Sequence, residues 1–413
     1  MGCCMMLSSF TSLGIIACPG SRGFAEKLIQ QIELIEHKLF DENCAALAKA
    51  YGLSVEEVTK KKNLLSDLLS NRNICTHEPS EYHNPRFLVD VRYTRFANGE
   101  VKAEVLDSVR SKDVYIVQDV YTGITPEYYG TQADAYSVND HLMTLLTTID
   151  AVRSSSPGRI TCILPAYPYA RQHKRKSREG LTAALVGSIM ESMSVDRILT
   201  LDIHSRDIDN TFKHLQLISL HASYEILRCM VKIVDVKSTD MVVVSPDTGA
   251  VDRNKYYANS LGCPLAMLYK ERDYSKVSQD AKQSNISSLR LLGNVEGKTV
   301  FLADDMLGTG GTLIKALKEL KAAGAQKVIV GISLPLFTGK SIELLEEAYH
   351  EGCFDKLIGT NAVGHNDDLY QRPWYISADV SALFAEAVSI LYHDGSLSPL
   401  LDNKQQIQTL LKA

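Results

Sequence analysis

The sequence predicts an α/β protein made of two doubly wound domains, each built on a parallel sheet. From about residue 87 onward, short runs of apolar, β-branched residues alternate with stretches that have the length and periodicity of helices. The short runs are almost continuously apolar, which is typical of strands buried on both faces of a parallel sheet. Together these two observations indicate helices packed on both sides of each sheet.

Length, composition and charge agree with this class and exclude others. The chain has 413 residues, 45% of them hydrophobic, which suffices for roughly two to three domains of about 150 residues. A net charge of −5 argues against a nucleic-acid partner but leaves room for a local basic pocket. No apolar run approaches the roughly 18 residues of a membrane helix, so no membrane partner is expected. Nine scattered cysteines without a C-x-x-C pair indicate a reduced, cytoplasmic protein.

The strands are predicted in order along the chain. They cover residues 14–17, 113–117, 159–164, 197–201, 241–245, 298–303 and 327–331. No basic residue precedes Arg22, so the apolar start is interpreted as a buried strand and not as a secretory signal. The series predicts an N-terminal domain over residues 1–235 and a C-terminal domain over 236–413, the latter with a helical extension at its end.

Residues 24–75 differ in composition and predict a helical insertion. Leu, Glu and Lys dominate there, and helical periodicity covers residues 25–40 and 55–71. Ser54 and Glu57 have the spacing of a capping box at the start of the second helix.

Two further segments complete the series. Residues 121–138 are rich in Gly, Pro and Tyr and are predicted to form a loop. A helix that starts near Leu313 is predicted to end at Gly324, with Leu317 and Leu320 on its buried face.

The clearest chemical signal lies at residues 301–312. A predicted buried strand ends in Asp304 and Asp305, and a turn rich in Gly and Thr then opens a helix. Free backbone N–H groups and the helix dipole at such a turn can hold a phosphate. The two carboxylates can accept ribose hydroxyls or hold a magnesium ion with its waters. Two adjacent aspartates at the end of a buried strand are costly, which favours a functional role over a purely structural turn.

The known phosphate-binding loops do not fit this stretch. A Walker A loop requires G-x-x-x-x-G-K-[ST], and the nearest run, which starts at Gly293, is one residue short and precedes a strand. No G-x-G-x-x-G follows the first strand either.

Residues 301–312 resemble the phosphoribosyl-diphosphate loop that phosphoribosyltransferases share with ribose-phosphate diphosphokinase, also called PRPP synthetase. Five further segments resemble the diphosphokinase family and occur in the family's order. These segments are Phe96-Ala-Asn98-Gly-Glu100, Tyr167-Pro-Tyr-Ala-Arg171-Gln172, Leu201-Asp-Ile-His204, Ser245-Pro-Asp247 and Lys270-Glu-Arg272. The resemblance covers nearly all of residues 87–400 and implies two domains of the phosphoribosyltransferase type.

The resemblance also implies a role for each segment. Lys270 and Arg272 are implied as catalytic residues on a loop that closes over the site. The implied ATP ligands are Phe96, Asn98, Glu100, Arg171 and Gln172. The implied ribose 5-phosphate ligands are Asp304, Asp305, Gly308, Thr309, Gly310, Gly311 and Thr312. His204 and Asp247 are implied to bind or position Mg²⁺, the expected cofactor.

Taken alone, the residues leave several of these roles open. Phe96 could stack a purine or cover a half-buried edge strand, and the basic residues between 171 and 178 could bind polyphosphate or form a solvated face. A lone histidine such as His204 is more often a hydrogen-bonded core residue, and Asp247 could form an Asx turn. Their shared position at strand ends, where α/β proteins bind ligands, favours the functional interpretation.

The implied reaction moves the β,γ-diphosphoryl group of ATP to the anomeric hydroxyl of ribose 5-phosphate. Its products are 5-phosphoribosyl 1-diphosphate and AMP, and catalysis would consist mostly of positioning and charge neutralisation. The resemblance further implies a homo-oligomer of dimers that assemble into hexamers.

Three departures from the family pattern keep two alternatives open. Gly308 stands where the family loop carries a third acid, His173 stands where the family has Asp, and residues 334–339 lack the family's His. One alternative is a non-catalytic regulatory homologue; the less favoured one is a phosphoribosyltransferase that consumes PRPP with a base. The intact acid pair and the Lys-x-Arg segment favour the diphosphokinase.

Overall fold

The computed structural model describes residues 12–70, 86–133, 135–175, 177–272 and 286–412. Its strands are β1 (Leu13–Ala17), β2 (Val91–Arg95), β3 (Val101–Val105), β4 (Asp113–Val117), β5 (Tyr129–Gly130), β6 (Arg159–Ile163), β7 (Arg197–Leu201), β8 (Gln216–Leu220), β9 (Met241–Ser245), β10 (Leu265–Arg272), β11 (Ile286–Leu292), β12 (Thr299–Leu307), β13 (Lys327–Pro335), β14 (Lys356–Thr360) and β15 (Tyr375–Ala378).

Helices separate most of these strands. They are α1 (Arg22–Tyr51), α2 (Val55–Ser70), α3 (Val138–Ser154), α4 (Thr182–Ser192), α5 (Ser223–Met230), α6 (Val251–Leu261), α7 (Gly311–Ala322), α8 (Ser341–His350), α9 (Asp367–Tyr370), α10 (Ser381–Tyr392), α11 (Ser398–Leu401) and α12 (Lys404–Lys412). None of the helices in the described ranges is long and apolar enough to cross a membrane.

Two sheets organise the chain, as predicted. The first has the order β1-β4-β6-β7-β8 and is parallel throughout. The second has the order β11-β10-β9-β12-β13-β14-β15 and is parallel except for the antiparallel pair β10–β11. A small third sheet has the order β3-β2-β5. The prediction of an α/β fold with parallel sheets is therefore confirmed.

The first sheet ends at β8 and the second begins at β9, on either side of the predicted boundary between residues 235 and 236. Helix α5 precedes that boundary, yet it packs on β13, β14 and β15 of the second sheet. The exact division into domains stays a prediction.

One apolar core is shared by the two sheets. Its fully buried residues include Tyr115 of the first sheet and Phe301 of the second. Helix α1 packs against α10, where the rings of Phe24 and Phe384 meet edge to face with centroids 5.5 Å apart. Each large apolar side chain buried in this way contributes about 1.5–3 kcal/mol. The two sheets therefore pack against a common apolar core.

The first helix of the predicted insertion begins and ends differently from the prediction. Helix α1 runs from Arg22 to Tyr51, well past the predicted end at residue 40, because residues 41–51 contain neither Gly nor Pro. It stops at Gly52, which adopts the left-handed backbone conformation of a helix C-cap. The second helix and its capping box are confirmed: Ser54 N donates to Glu57 Oε2 over 2.9 Å, and Glu57 N donates to Ser54 Oγ over 3.2 Å. Residues 71–75 of the predicted insertion lie outside the described ranges.

The strand that carries the acid pair is longer than predicted. The sequence predicts an end at residue 303, but β12 continues to Leu307. Ladder pairing with β13 continues as well, with Met306 opposite Leu334 and Leu307 opposite Pro335. The two aspartates therefore lie near the end of a regular strand, whose pairing with β13 fixes their backbone more firmly than a loop would.

The predicted loop over residues 121–138 is mostly irregular, with one short strand inside it. Strand β5 pairs in parallel with the end of β2, and helix α3 begins at Val138 behind a capping box formed by Ser137 and Asp140. Residue 134 lies outside the described ranges.

Candidate active site

A cavity of about 640 Å³ opens where the carboxyl ends of strands from both sheets meet. Its walls come from the segments that follow β6, β7 and β9 and from the end of β12. The residues predicted from sequence that line it are Arg171, His204, Asp247, Asp304, Asp305, Gly308, Thr309, Gly310, Gly311 and Thr312. Ligands of open α/β sheets bind at this edge, so the cavity is the candidate active site.

The acid pair is held rigidly at the floor of the cavity. Met306 N donates to Asp305 Oδ1 over 2.8 Å, and Asp305 N donates to Asp304 Oδ1 over 2.9 Å. Just before the pair, the buried side chain of Asn254 on α6 bonds both backbone groups of Ala303, at 2.8 and 3.1 Å. These contacts fix β12 against α6 and leave little freedom to the carboxylates.

The two carboxyl groups differ in their electrostatics. Burial, together with the neighbouring charge of Asp305, raises the pKa of Asp304 above its ordinary value. Burial also acts to raise the pKa of Asp305, but the hydrogen bond from His204 and the positive charge of Arg253 outweigh it and lower that pKa. Asp305 is therefore the more firmly ionised of the pair.

His204 joins the two sheets at the site. It follows β7 of the first sheet, and its Nδ1 lies 2.5 Å from Asp305 Oδ2 on β12 of the second. The ring of His173 stands edge-on to the His204 ring with centroids 5.1 Å apart, and its buried Nδ1 has no hydrogen-bond partner among the described residues. The structure thus places His173, a departure from the family pattern, directly beside a predicted metal-side residue.

The glycine turn forms a further part of the cavity wall. Gly310 has φ near +79°, a left-handed conformation that favours glycine, and α7 begins at the next residue. The first amides of a helix have no acceptor within it, so the start of α7 offers N–H groups and a positive dipole end to an anion. Thr309 and Thr312 add exposed hydroxyls. This wall has the chemistry of a phosphate site.

Cationic side chains complete the cavity wall. Arg171 follows β6 and donates from Nη2 to Met306 O over 3.2 Å, which ties it to the strand of the acid pair. Lys174 also lines the cavity, and its Nζ lies 3.2 Å from Asp207. Gln172, although adjacent to Arg171, is exposed and does not line the cavity.

Asp247 lines the cavity and also forms a local turn. Its Oδ1 accepts hydrogen bonds from Gly249 N at 2.9 Å and Ala250 N at 3.1 Å. This is the Asx turn that the sequence left as the alternative. In the described part of the chain, no three His, Cys, Asp or Glu side chains form a ready cluster for a metal.

The predicted adenine-binding residues lie elsewhere. Phe96, Asn98 and Glu100 occupy the turn between β2 and β3, where Phe96 is 45% exposed and Glu100 N donates to Asn98 Oδ1 over 3.2 Å. None of the three lines this cavity. The structure of a single chain therefore does not bring them together with Arg171.

Lys270 and Arg272 lie at the end of β10, where the backbone pairs with β11. Lys270 is opposite Leu289 and Arg272 is opposite Ile286. The resemblance to the diphosphokinase family implies a loop at this point, whereas the backbone is a strand as far as Arg272. The side chains of the two residues and the segment 273–285 lie outside the described part.

Sequence reasoning missed Arg253 and its partners. Arg253 on α6 lines the cavity; its Nη1 donates to Ser333 Oγ over 3.2 Å and lies 3.5 Å from Asp202 Oδ2. A basic residue on the first helical turn after the Pro-Asp-Thr-Gly segment, on the side of a predicted ligand cleft, was the available signal. Nothing in the sequence pointed to Ser333, which comes from β13.

The residues present fit a magnesium ion by donor type. Mg²⁺ prefers oxygen ligands and is commonly held by one or two carboxylates together with substrate phosphates, with no complete protein cage. Asp304 and Asp305 offer such carboxylates beside a phosphate-type turn.

Comparison with known proteins supports a specific class. A model of the N-terminal domain of ribose phosphate pyrophosphokinase matches residues 80–193, and a phosphoribosyl transferase domain model matches residues 220–367. The fold and the site thus define a protein with two domains of the phosphoribosyltransferase type. Helices α1 and α2 precede both matches.

Relatives narrow the class to one family. The chain is 34% identical over 311 residues to ribose-phosphate pyrophosphokinase 2 of Schizosaccharomyces pombe, covering 75% of this chain and 88% of that protein. It is 33% identical over 328 residues to ribose-phosphate pyrophosphokinase of Chlorobaculum tepidum, covering 78% and 90%. The crystal structure of phosphoribosylpyrophosphate synthetase from Mycobacterium smegmatis aligns with a TM-score of 0.67 and 26% identity, over 93% of this chain and all of that one. The chain belongs to the ribose-phosphate pyrophosphokinase family.

Proposed function

We propose that this protein transfers the β,γ-diphosphoryl group of ATP to the anomeric hydroxyl of ribose 5-phosphate, giving 5-phosphoribosyl 1-diphosphate and AMP. One observation carries the proposal: an acid pair, a glycine turn at a helix start and cationic side chains line one cavity. The first two match the hydroxyls and phosphate of a sugar phosphate, and the third matches a polyphosphate.

The sugar phosphate occupies the side formed by β12 and α7. Asp304 and Asp305 accept hydrogen bonds from the ribose hydroxyls, and the turn from Gly308 to Thr312 holds the 5-phosphate. Rigid support of β12 by Asn254 supports this role, because positioning accounts for much of the catalysis when a diphosphoryl group is transferred.

ATP occupies the side formed by the segments after β6 and β7. Arg171 and Gln172 hold ATP, and Phe96, Asn98 and Glu100 hold its adenine. Because these three lie outside the cavity of their own chain, adenine contact requires the β2–β3 turn of a second copy. A homo-oligomer, with dimers as its unit and hexamers as its larger form, is therefore part of the proposal.

Mg²⁺ is the proposed cofactor. When bound, it neutralises charge on the phosphates of ATP. Asp304 and Asp305 would hold it together with those phosphates, and His204 and Asp247 would bind or position it from the other wall. The His204–Asp305 contact supports this arrangement, because it keeps Asp305 ionised at the meeting point of the two sheets.

Lys270 and Arg272 close over the site from the end of β10. Their positive charges stabilise the charge that develops on the transferred group and on the departing AMP. The proposal places the protein in the cytoplasm, in agreement with six free cysteines in the described part of the chain.

The non-catalytic homologue is the second candidate, and two observations favour it. Gly308 brings no acid to the turn, and His173 stands beside His204 where the family has Asp. A coupled assay for AMP release from ATP and Mg²⁺ separates the two. Release that depends on ribose 5-phosphate supports the diphosphokinase, whereas nucleotide binding without AMP release supports the regulatory homologue. The assay is run with and without inorganic phosphate.

A further inference from the structure

We propose that Asp202 is a positioning residue, which holds Arg253 at the distance from the acid pair that ribose 5-phosphate binding requires. The inference rests on the proposed function, because it concerns how that site is assembled. Asp202 itself does not contact the sugar phosphate; it acts through the guanidinium of Arg253.

Asp202 lies between the two sheets and bonds to both. From the first sheet's side, His221 Nδ1 lies 3.0 Å from its Oδ1 and Ala222 N donates to its Oδ2 over 3.2 Å. From the second, Ser333 Oγ donates to Oδ2 over 2.6 Å and Arg253 Nη1 lies 3.5 Å from the same oxygen. The carboxylate is only 11% exposed and has partners on both oxygens.

The backbone at Asp202 is strained in order to make these contacts. Its φ of +40° is uncommon for a residue with a side chain, and such a conformation persists only where the surrounding contacts hold it. The strain occurs directly after β7, two residues before His204. Asp202 and His204 lie two residues apart on this short segment. Asp202 contacts Arg253 and His204 contacts Asp305, so both side chains bind residues of the second half of the chain.

Arg253 therefore lies between Asp202 and the acid pair of Asp304 and Asp305. Asp202 and Ser333 hold its Nη1, while the guanidinium lines the cavity together with Asp304 and Asp305. Without the Asp202 charge, the cation would be balanced by the acid pair alone. The acid pair would then be partly neutralised and drawn away from the sugar hydroxyls, although every residue that touches the substrate would still be present.

The test compares Asp202→Asn with Asp235→Asn, which removes the same charge at an exposed turn outside the site. We expect Asp202→Asn to raise the KM and the calorimetric Kd for ribose 5-phosphate about tenfold, the usual cost of a lost charged hydrogen bond, while the KM for ATP changes less than about twofold. A lower melting temperature with both KM values unchanged would mean a merely structural role and would overturn the proposal.

A double-mutant cycle with Arg253→Met tests whether Asp202 affects ribose 5-phosphate binding through Arg253. If Asp202 acts through Arg253, Asp202→Asn in the Arg253→Met background should change the Kd for ribose 5-phosphate less than about twofold, because contacting residues are strongly non-additive. An undiminished tenfold effect in that background would refute the route through Arg253.

Ser333 provides a variant that keeps all charges, in case Asp202→Asn does not fold. Ser333→Ala should raise the Kd for ribose 5-phosphate about threefold, within the range of one neutral hydrogen bond, and Ser333→Thr, which retains the hydroxyl, should stay close to wild type. Identical Kd values for both variants and wild type would contradict the proposal. Because calorimetry needs no turnover, these outcomes remain readable even if no AMP is released and the proposed function fails.

Discussion

His204 Nδ1 lies 2.5 Å from Asp305 Oδ2, and this contact joins the carboxyl end of β7 in the first sheet to β12 in the second. It lowers the pKa of Asp305 against the effect of burial and orients the carboxylate within the cavity. The site is therefore built from both sheets. Its carboxylates lie on β12, whereas His204, which binds Asp305, follows β7, and Arg253, whose charge acts on Asp305, lies on α6.

Replacing His204 should separate its hydrogen bond from its ring packing. His204→Phe keeps an aromatic ring beside His173 but removes the bond to Asp305, and kcat/KM should fall on the order of tenfold to hundredfold, as for other hydrogen bonds to charged groups. His204→Asn can still donate to Asp305 and should lose clearly less activity. Equal losses in steady-state assays of the two variants would contradict the role of this bond.

Asp304 should make stability depend on pH in a defined direction. Burial and the Asp305 charge raise its pKa in the folded state, so the folded protein keeps this proton to higher pH than the unfolded chain, whose Asp pKa is about 3.9. The free energy of unfolding should then fall as pH rises from about 4 through the raised folded-state pKa.

Asp304→Asn removes this titration. In the absence of ligands its melting temperature should match wild type near pH 4 and exceed it by a few degrees at pH 8, while turnover falls at least about hundredfold. Thermal melts across this pH range check the first part. If the melting-temperature difference between the variant and wild type did not change with pH, the pKa of Asp304 would not be raised in the folded protein.

Gly308 leaves space beside Arg171 that a side chain can fill. A Cβ there would meet only Thr338 Oγ1 at 3.4 Å and Arg171 Nη1 at 3.7 Å, and the backbone is outside the left-handed region. Gly308→Ala should therefore cost less than about 1 kcal/mol of stability and little activity. Gly308→Asp should pair with Arg171 and raise the KM for ATP roughly three- to tenfold. Unchanged ATP kinetics in Gly308→Asp would argue that Arg171 does not hold the nucleotide.

Lys270 should matter for turnover more than for binding. Lys270→Ala should lower kcat on the order of a hundredfold or more, with the KM values for both substrates within about threefold, because its charge is needed only as the diphosphoryl group moves. Lys255→Ala, which removes an exposed lysine from α6, is the matched control. Parallel losses in kcat and in substrate affinity would place Lys270 in ground-state binding.

Contiguous features of the site were predictable, and features assembled across the chain were not. The acid pair and the glycine turn lie within nine residues of sequence, from Asp304 to Thr312, so their pattern alone predicts a sugar-phosphate site. Arg253 and Ser333 meet Asp202 only because α6, β13 and the end of β7 converge in space. No local pattern records such a convergence.

The misjudged boundaries have local causes. Residues 41–51 lack the Leu-rich periodicity that marked the start of α1, but they also lack any residue that would end a helix, so α1 continues to Gly52. The predicted end of β12 at residue 303 reflects the two charged residues that follow it, but the strand continues past them to Leu307. Ladder bonds to β13 and partners such as His204 offset the cost of burying Asp305 within a strand.

The most direct test of the central claim is phosphorus NMR of a mixture of the purified protein, ATP, Mg²⁺ and ribose 5-phosphate. The account predicts that AMP and a sugar diphosphate appear in equal amounts, that both require ribose 5-phosphate, and that Asp304→Asn suppresses both. ATP consumed to ADP, or ATP left intact under conditions in which both substrates bind, would contradict it.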